Sequence, residues 1–261
     1  MSEWLQPGNL PPALGIQDLA TARITYPAQG QTSDVAFIDG RDGPLAIKRC
    51  DRPIYLDWLR REYEVLSWLQ STTLRVPAPL GYAERVSTEG LEGWLAMSRL
   101  AGQSMRQRLT SARPSERREL LRVFATALRE LHSAAIPQPL CQRESWIDRI
   151  LHTARSHLDW CDGDALLLEA LEQSAPNRIL ESLIHGDMAL DNVLIDDAGN
   201  IGFVDWAWGD FGDPRYDLAL AEQGLRRLEL AADEISVFFA TYGQRPDRQT
   251  LNWFERLCEF F

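Results

Sequence analysis

Along the first hundred residues, apolar side chains fall in short runs separated by turn formers. Ala22 to Tyr26, Asp34 to Ile38 and Leu45 to Arg49 are short β-rich runs. Between the last two, Asp39-Gly40-Arg41-Asp42-Gly43-Pro44 is a turn signal, so the pattern predicts a hairpin. The period changes over Tyr55 to Gln70, where Leu56, Leu59, Tyr63, Leu66 and Leu69 return at helical spacing until Val76-Pro77-Ala78-Pro79 ends the helix. Two more β-like runs, Leu80 to Arg85 and Gly93 to Ser98, precede a break at Leu100-Ala101-Gly102-Gln103. This gives a β-rich part with one helix over residues 1–97, a linker over 98–103 and a mainly helical part over 104–261, an α+β arrangement.

Beyond the linker, Ser115 to Leu131 carries Leu120, Phe124, Leu128 and Leu131 on one face, with Ser115 as the expected N-cap. Further helical stretches are expected over Trp146 to Leu171, Asp217 to Tyr242 and Gln249 to Cys258. They are interrupted by HGDMALDNVLIDDAGNIGFVDWAWGDFGDPRYD, in which Val193 to Ile195 and Ile201 to Val204 flank Asp196-Asp197-Ala198-Gly199-Asn200. That is a loop, a hairpin and a second loop, all rich in carboxylates.

Charge narrows the partners. The 261 residues carry a formal charge of −11, with nine basic and twelve acidic residues over 1–97 and eighteen and twenty-six over the rest. A chain this acidic repels a phosphate backbone and attracts cations, so no nucleic-acid partner is expected. The four cysteines, Cys50, Cys141, Cys161 and Cys258, lack metal-ligand spacing and signal no disulfide framework, which fits a reduced, cytoplasmic setting. No apolar run approaches the roughly 20 residues of a membrane span, and MSEWLQPGNLPP has no export-signal pattern, so no membrane association is expected.

One lysine stands among 27 basic residues: Lys48, in Leu45-Ala46-Ile47-Lys48. It reads either as a solvated strand lysine or as a compact ammonium required at that point. A strand lysine followed by a helix that supplies a carboxylate holds nucleotide phosphates in the kinase fold. The helix offers Glu62 and Glu64, which lie on different faces; Glu62 shares a side with Leu59, Leu66 and Leu69 and is preferred. The fuller signal is His185-Gly186-Asp187-Met188-Ala189-Leu190-Asp191-Asn192, followed by Asp205 in GFVDW. Phosphoryl transfer needs a carboxylate that takes the proton of the attacking hydroxyl and oxygen ligands for Mg²⁺, and Asp187, Asn192 and Asp205 supply them. The spacing does not match a calcium-binding EF-hand loop, and the plainer reading is an acidic turn.

These residues, with RREYEVLSWL, VPAPLGY, LAMSRLAGQSM, Leu131-His132, HGDMALDNVLID and GFVDWAWGDFGDPRYDLA, resemble the aminoglycoside phosphotransferase family over nearly the whole chain. The resemblance implies a protein-kinase-like fold with a small β-rich N-lobe, a hinge at 98–103 and a larger, mainly helical C-lobe. It implies ATP and Mg²⁺ as cofactors, with Lys48 on the phosphates, Glu62 pairing with Lys48, Asp187 as catalytic base, and Asn192 and Asp205 as metal ligands. Backbone groups of Ser98 to Leu100 would meet the adenine, and Thr32 and Ser33, in Gly30-Gln31-Thr32-Ser33-Asp34, would cover the phosphates. His185, Asp213 and Asp217 are read as loop-organising.

The ending Phe254-Glu255-Arg256-Leu257-Cys258-Glu259-Phe260-Phe261 resembles that of aminoglycoside 3'-phosphotransferases, with Cys258 where they carry Asp; it also reads as a plain amphipathic helix. On the match, Glu259 and the carboxylate of Phe261 contact substrate, and Asp159 and Asp162 add negative charge. Asp164, Glu229, Asp233 and Glu234 lie in the same helical part, and Trp160 is expected to stack on a sugar or fill the core. Trp208 stands where the 3' enzymes carry Arg. The expected activity is ATP-dependent transfer to a hydroxyl of a cationic small molecule, an aminoglycoside, by a monomer or homodimer. The rivals are a same-fold kinase of choline, homoserine, methylthioribose, a fructosamine or a macrolide, and a non-catalytic nucleotide-binding module.

Overall fold

The computed structural model describes every residue except 1–3, 6–9, 17–18, 20–21, 28–31, 41–42, 89 and 142–143, so Gly30, Gln31, Arg41 and Asp42 of the expected turns lie outside the described residues. The chain forms two units, one of Met1–Ser71, Arg75–Ala101 and Phe203–Trp208, the other of Thr72–Leu74, Gly102–Gly202 and Gly209–Phe261. A linear reading assigns Phe203–Trp208 to the helical part. It groups with the first unit because the Phe203 amide donates to the Arg75 carbonyl at 3.0 Å and the residues after it pack there.

In the first unit, β1 (Arg23–Thr25), β2 (Asp34–Gly40), β3 (Gly43–Cys50), β4 (Pro79–Ser87) and β5 (Gly90–Ser98) make one sheet in the order β1-β2-β3-β5-β4, with every pair antiparallel. Successive strand residues face opposite sides. Ile47 therefore joins Ala36, Ile38, Trp94 and Ala96 beneath Leu5, Leu14 and Leu19, while Lys48, registered against Val35 and Leu95, faces the other side. That side is covered by α1 (Pro53–Leu69), which begins on a proline whose φ is preset for a helix. The buried stripe of α1 is Leu56, Leu59, Val65, Leu66 and Leu69, each contributing roughly 1.5–3 kcal/mol, with Glu62 set among them. The sheet admits the helix at Gly93, where a Cβ would lie 2.9 Å from Leu56 Cδ2.

The second unit holds α2 (Met105–Ser111), α3 (Pro114–Ser133), α4 (Trp146–Ser156), α5 (Ala165–Gln173), α6 (Pro214–Arg227), α7 (Ala232–Tyr242) and α8 (Arg248–Leu257). Helix α3 packs on α7 through Phe124 and Phe238, whose rings are 5.1 Å apart. Among the helices run β6 (Gln103–Ser104), β8 (Val193–Ile195) and β9 (Ile201–Phe203), in the order β6-β8-β9, and the antiparallel pair β7 (Ser182–Ile184) and β10 (Asp210–Gly212). The turn between β8 and β9 is closed by Asp196, whose Oδ1 accepts from the Ala198 and Asn200 amides.

Three expectations are corrected. Arg113, not Ser115, is the N-cap of α3, because Pro114 takes the first helical position. The stretch from Trp146 to Leu171 is two helices: the Gly163 amide donates to the Glu259 carbonyl at 2.9 Å, and α5 restarts on Asp164, which accepts from the Leu167 amide at 2.7 Å. The stretch from Asp217 to Tyr242 is also two, parted where Glu229 takes a left-handed conformation with φ 55°. Among the described residues, no helix is long and apolar enough to cross a membrane.

Candidate functional site

In the first unit the geometry centres on Lys48. Its Nζ donates to Glu62 Oε1 and Oε2 at 2.7 and 2.8 Å and also to Asp205. Burial disfavours the ammonium, yet the Asp205 and Glu62 carboxylates outweigh that and raise its pKa. Burial pushes Glu62 up, opposed by Lys48 and by the Trp206 amide that it accepts from. The side chains of Lys48 and Glu62 are nearly enclosed, whereas that of Asp205 is 46% exposed. Asp205 has φ 64°, a left-handed conformation that Asp tolerates better than most residues. Two carboxylates against one ammonium leave a local charge of −1, which favours a cation beside the exposed Asp205.

In the second unit the HGDMALDN loop is pinned from below. Asp217, fully buried on α6, accepts the His185 and Gly186 amides at 2.7 and 2.9 Å and bonds His132 Nε2 at 3.1 Å; Tyr242 Oη meets His132 Nδ1 at 2.8 Å. His185 is itself buried, and its Nδ1 accepts the Asp187 amide at 3.3 Å. Asn192 Nδ2 donates to the Asp187 carbonyl at 3.0 Å and to Asp187 Oδ2 at 2.8 Å. With its amide nitrogen so engaged, Asn192 keeps a carbonyl oxygen, the hard donor that Mg²⁺ takes. Among the described residues, no three His, Cys, Asp or Glu side chains form a metal cage. An ion held by one or two protein oxygens together with phosphates needs none, and the oxygens of Asn192 here and of Asp205 in the first unit are each of the hard kind that Mg²⁺ takes.

The other expected residues divide. Thr32 and Ser33 sit half-buried in the bend before β2. The Ser98 amide donates to the Ala78 carbonyl at 2.8 Å and the Arg99 amide to the Pro44 carbonyl at 2.9 Å, so of the backbone groups expected to meet adenine these two amides are held within the first unit. Asp159 and Asp162 are exposed in the turn between α4 and α5, and Glu259, also exposed, accepts the Gly163 amide of that turn at its carbonyl. The ring of Phe261 lies edge-on to His157 at 5.3 Å, and Trp160 packs tilted against the same imidazole at 4.3 Å, 37% exposed and so outside the core. Asp164 caps α5, Asp233 pairs with Arg118 at 2.6 Å, and Glu234 is buried against Arg117 at 2.8 Å. These three carboxylates are structural.

Several partners were not legible from spacing. Asp191, inside the loop motif, bonds Arg106 Nε at 2.6 Å and Ser104 Oγ at 3.3 Å, tying the loop to the start of α2. Cys258 feels the Asp187 carboxylate: burial first and then that charge push its thiol up to about 11, while Tyr216 donates a hydrogen bond to it. Asp213 caps α6 by accepting the Arg215 amide at 2.9 Å and clasps the Arg215 guanidinium.

Over residues 23–254 the sequence matches the Phosphotransferase enzyme family. The chain belongs to this family. Among its relatives, an aminoglycoside 3'-phosphotransferase of Niallia circulans is 25% identical to this phosphotransferase over 269 residues, 98% of this chain and 97% of that protein. The crystal structure of an aminoglycoside-3'-phosphotransferase of type VIII superposes with a TM-score of 0.73 at 22% identity, covering 91% of this chain and 94% of that one, so the α+β fold is the protein-kinase-like fold of those enzymes. Acyl-CoA dehydrogenase family member 11 of Gallus gallus is 30% identical over 176 residues, 62% of this chain but only 22% of that longer protein.

Proposed function

We propose that this phosphotransferase moves the γ-phosphoryl group of ATP to a hydroxyl of a cationic small molecule of the aminoglycoside class. The observation that carries the reading is the enclosed Lys48 ammonium held between Glu62 and Asp205. Bound ATP with Mg²⁺ would supply the transferable phosphoryl group and offset the negative charge around Asp205. Lys48, kept protonated by its carboxylates, draws phosphate oxygens without need of a proton from solvent. Asp205 in the first unit and Asn192 in the second would each offer an oxygen donor to Mg²⁺. Asp187 accepts the proton of the acceptor hydroxyl at a carboxylate oxygen, and Asn192 orients that carboxylate through its 2.8 Å bond. In this reading Thr32 and Ser33 would cover the phosphates and backbone groups of Ser98 to Leu100 would meet the adenine. The exposed Asp159, Asp162 and Glu259 attract the amines of the acceptor, with the Phe261 carboxylate.

Cys258 favours a second reading. A thiol pushed up to about 11 is neutral at physiological pH, so the group coupled to Asp187 offers no counter-charge to an amine. One fewer counter-charge suits an acceptor with fewer amines than kanamycin, such as a macrolide or the acceptor of a metabolite kinase acting on choline, homoserine, methylthioribose or a fructosamine. The test is mass spectrometry of kanamycin, neomycin, erythromycin and choline incubated with enzyme, ATP and Mg²⁺. A phosphorylated kanamycin or neomycin, lost on the order of 10³-fold in Asp187→Ala with nucleotide binding retained, is the expected result. Full turnover by that variant overturns the assignment of the base.

A further inference from the structure

The geometry points to Trp58 and Trp208 as positioning residues that hold Glu62 and Asp205 together on Lys48. This rests on the reading of Lys48 and Asp205 as nucleotide-binding groups. Trp58 lies one turn before Glu62 on α1, so the two side chains are neighbours on the helix surface. Trp208 lies three residues after Asp205. The two indoles meet edge to face, with ring centroids 4.9 Å apart and planes at 66°. Behind them the contact continues: Tyr55 packs on Trp58 at 5.0 Å, and the Arg52 guanidinium lies over the Tyr55 ring at 4.6 Å. Helix α1 and the Asp205 segment are therefore joined at three points: through Lys48, through the Trp206 amide that donates to Glu62, and through the aromatic pair.

The aromatic joint has a physical reason. Asp205 holds a left-handed backbone conformation, which persists only where the surroundings impose it. On its N-terminal side the segment is anchored by the buried indole of Trp206, whose Nε1 donates to the Phe203 carbonyl at 3.0 Å, and by the bond from Phe203 to Arg75. On its C-terminal side the Trp208 ring reaches back to α1. Trp206 is fully buried and belongs to the core, whereas Trp58 and Trp208 are half-buried. Their contact is thus separable from the stability of the unit: its loss loosens the presentation of Asp205 and Glu62 while the sheet and helix persist. An aromatic pair of this geometry shifts an equilibrium by about two- to tenfold.

The test uses the full chain and Mg²⁺ with a non-hydrolysable ATP analogue, titrated calorimetrically so that binding is read without turnover. Trp58→Ala and Trp208→Ala each weaken the analogue by about tenfold, and the double variant is no worse than either single one, because both remove the same contact. Trp208→Phe retains binding within about twofold of the parent, and melting temperatures of the Trp208 variants stay close to it. Lys48→Ala is the control. If Lys48→Ala abolishes binding but Trp208→Ala leaves it within twofold, or if the two alanine effects add, the aromatic clamp is refuted and the nucleotide reading stands. If Lys48→Ala itself binds like the parent, the nucleotide reading fails instead. Should Trp58→Ala not fold, the comparison of Trp208→Ala with Trp208→Phe decides alone.

Discussion

Replacing Asp217 by Asn tests how the HGDMALDN loop is held. The carboxylate is completely buried and accepts from two consecutive amides, His185 and Gly186, at 2.7 and 2.9 Å, with His132 Nε2 at 3.1 Å. Hydrogen bonds to a charged acceptor contribute about 1.5–3 kcal/mol each, and a buried amide left unpaired costs about 1–3 kcal/mol. An Asn side chain of the same size keeps one acceptor oxygen but turns its own N–H groups toward at least one of three donors. The expected loss is therefore about 2–4 kcal/mol, confined at first to the loop. A chain of two units has no single unfolding free energy, so the suitable assay is hydrogen exchange of the peptide spanning His185 to Asp187. At about 1.4 kcal/mol per decade, exchange of these amides should accelerate by about 30- to 10³-fold. Exchange within about threefold of the parent would show that Asp217 does not hold the loop, and the argument from its burial would be wrong.

Two further outcomes follow from the charges. Iodoacetamide at about pH 8 should label the exposed Cys141 and leave Cys258 almost untouched until the pH nears about 11, since burial and the Asp187 charge keep its thiol protonated; mass spectrometry showing equal rates contradicts this. Glu92 is buried, but hydrogen bonds from Arg85, Trp94 and Arg49 overcome that burial and hold its carboxyl below the ordinary value of 4.5. A depressed folded value stabilises above 4.5 and is lost as pH falls through it. Glu92→Gln should therefore show a smaller fall in melting temperature on acidification below about pH 4.5 than the parent. Parallel acid profiles for the two chains count against the ion cluster.

What could be read in advance depended on whether the signal was local. Glu62 was legible because it interrupts an apolar stripe at helical spacing, and a carboxylate in that position needs a buried cation, which the lone lysine supplies. The HGDMALDN string and GFVDW stand out in the sequence because their carboxylates and amide lie close together along the chain. The break at Gly163 was not: apolar residues continue on both sides of it, and what stops the helix is the Glu259 carbonyl and the Phe260 ring, which would lie 2.6 Å from an added Cβ nearly a hundred residues away in sequence. The same holds for His132 with Asp217, for Asp191 with Arg106, and for Tyr216 with Cys258. Each pair joins residues whose separation has no period, so only the folded chain brings them together. Asp233 and Glu234 show the converse: a local acidic run suggested a cation-attracting face, and two arginines of α3 had already claimed it.

The use of arginine almost everywhere else leaves Lys48 as the sole lysine of the chain. Trypsin therefore cuts at arginine at every site but one, and any amine-directed mass tag recovered on a lysine side chain reports on that residue alone. In the folded protein its nitrogen is enclosed between two carboxylates and stays protonated. Acylation there requires the cluster to open first, so the extent of tagging becomes a clock for local breathing around a single atom.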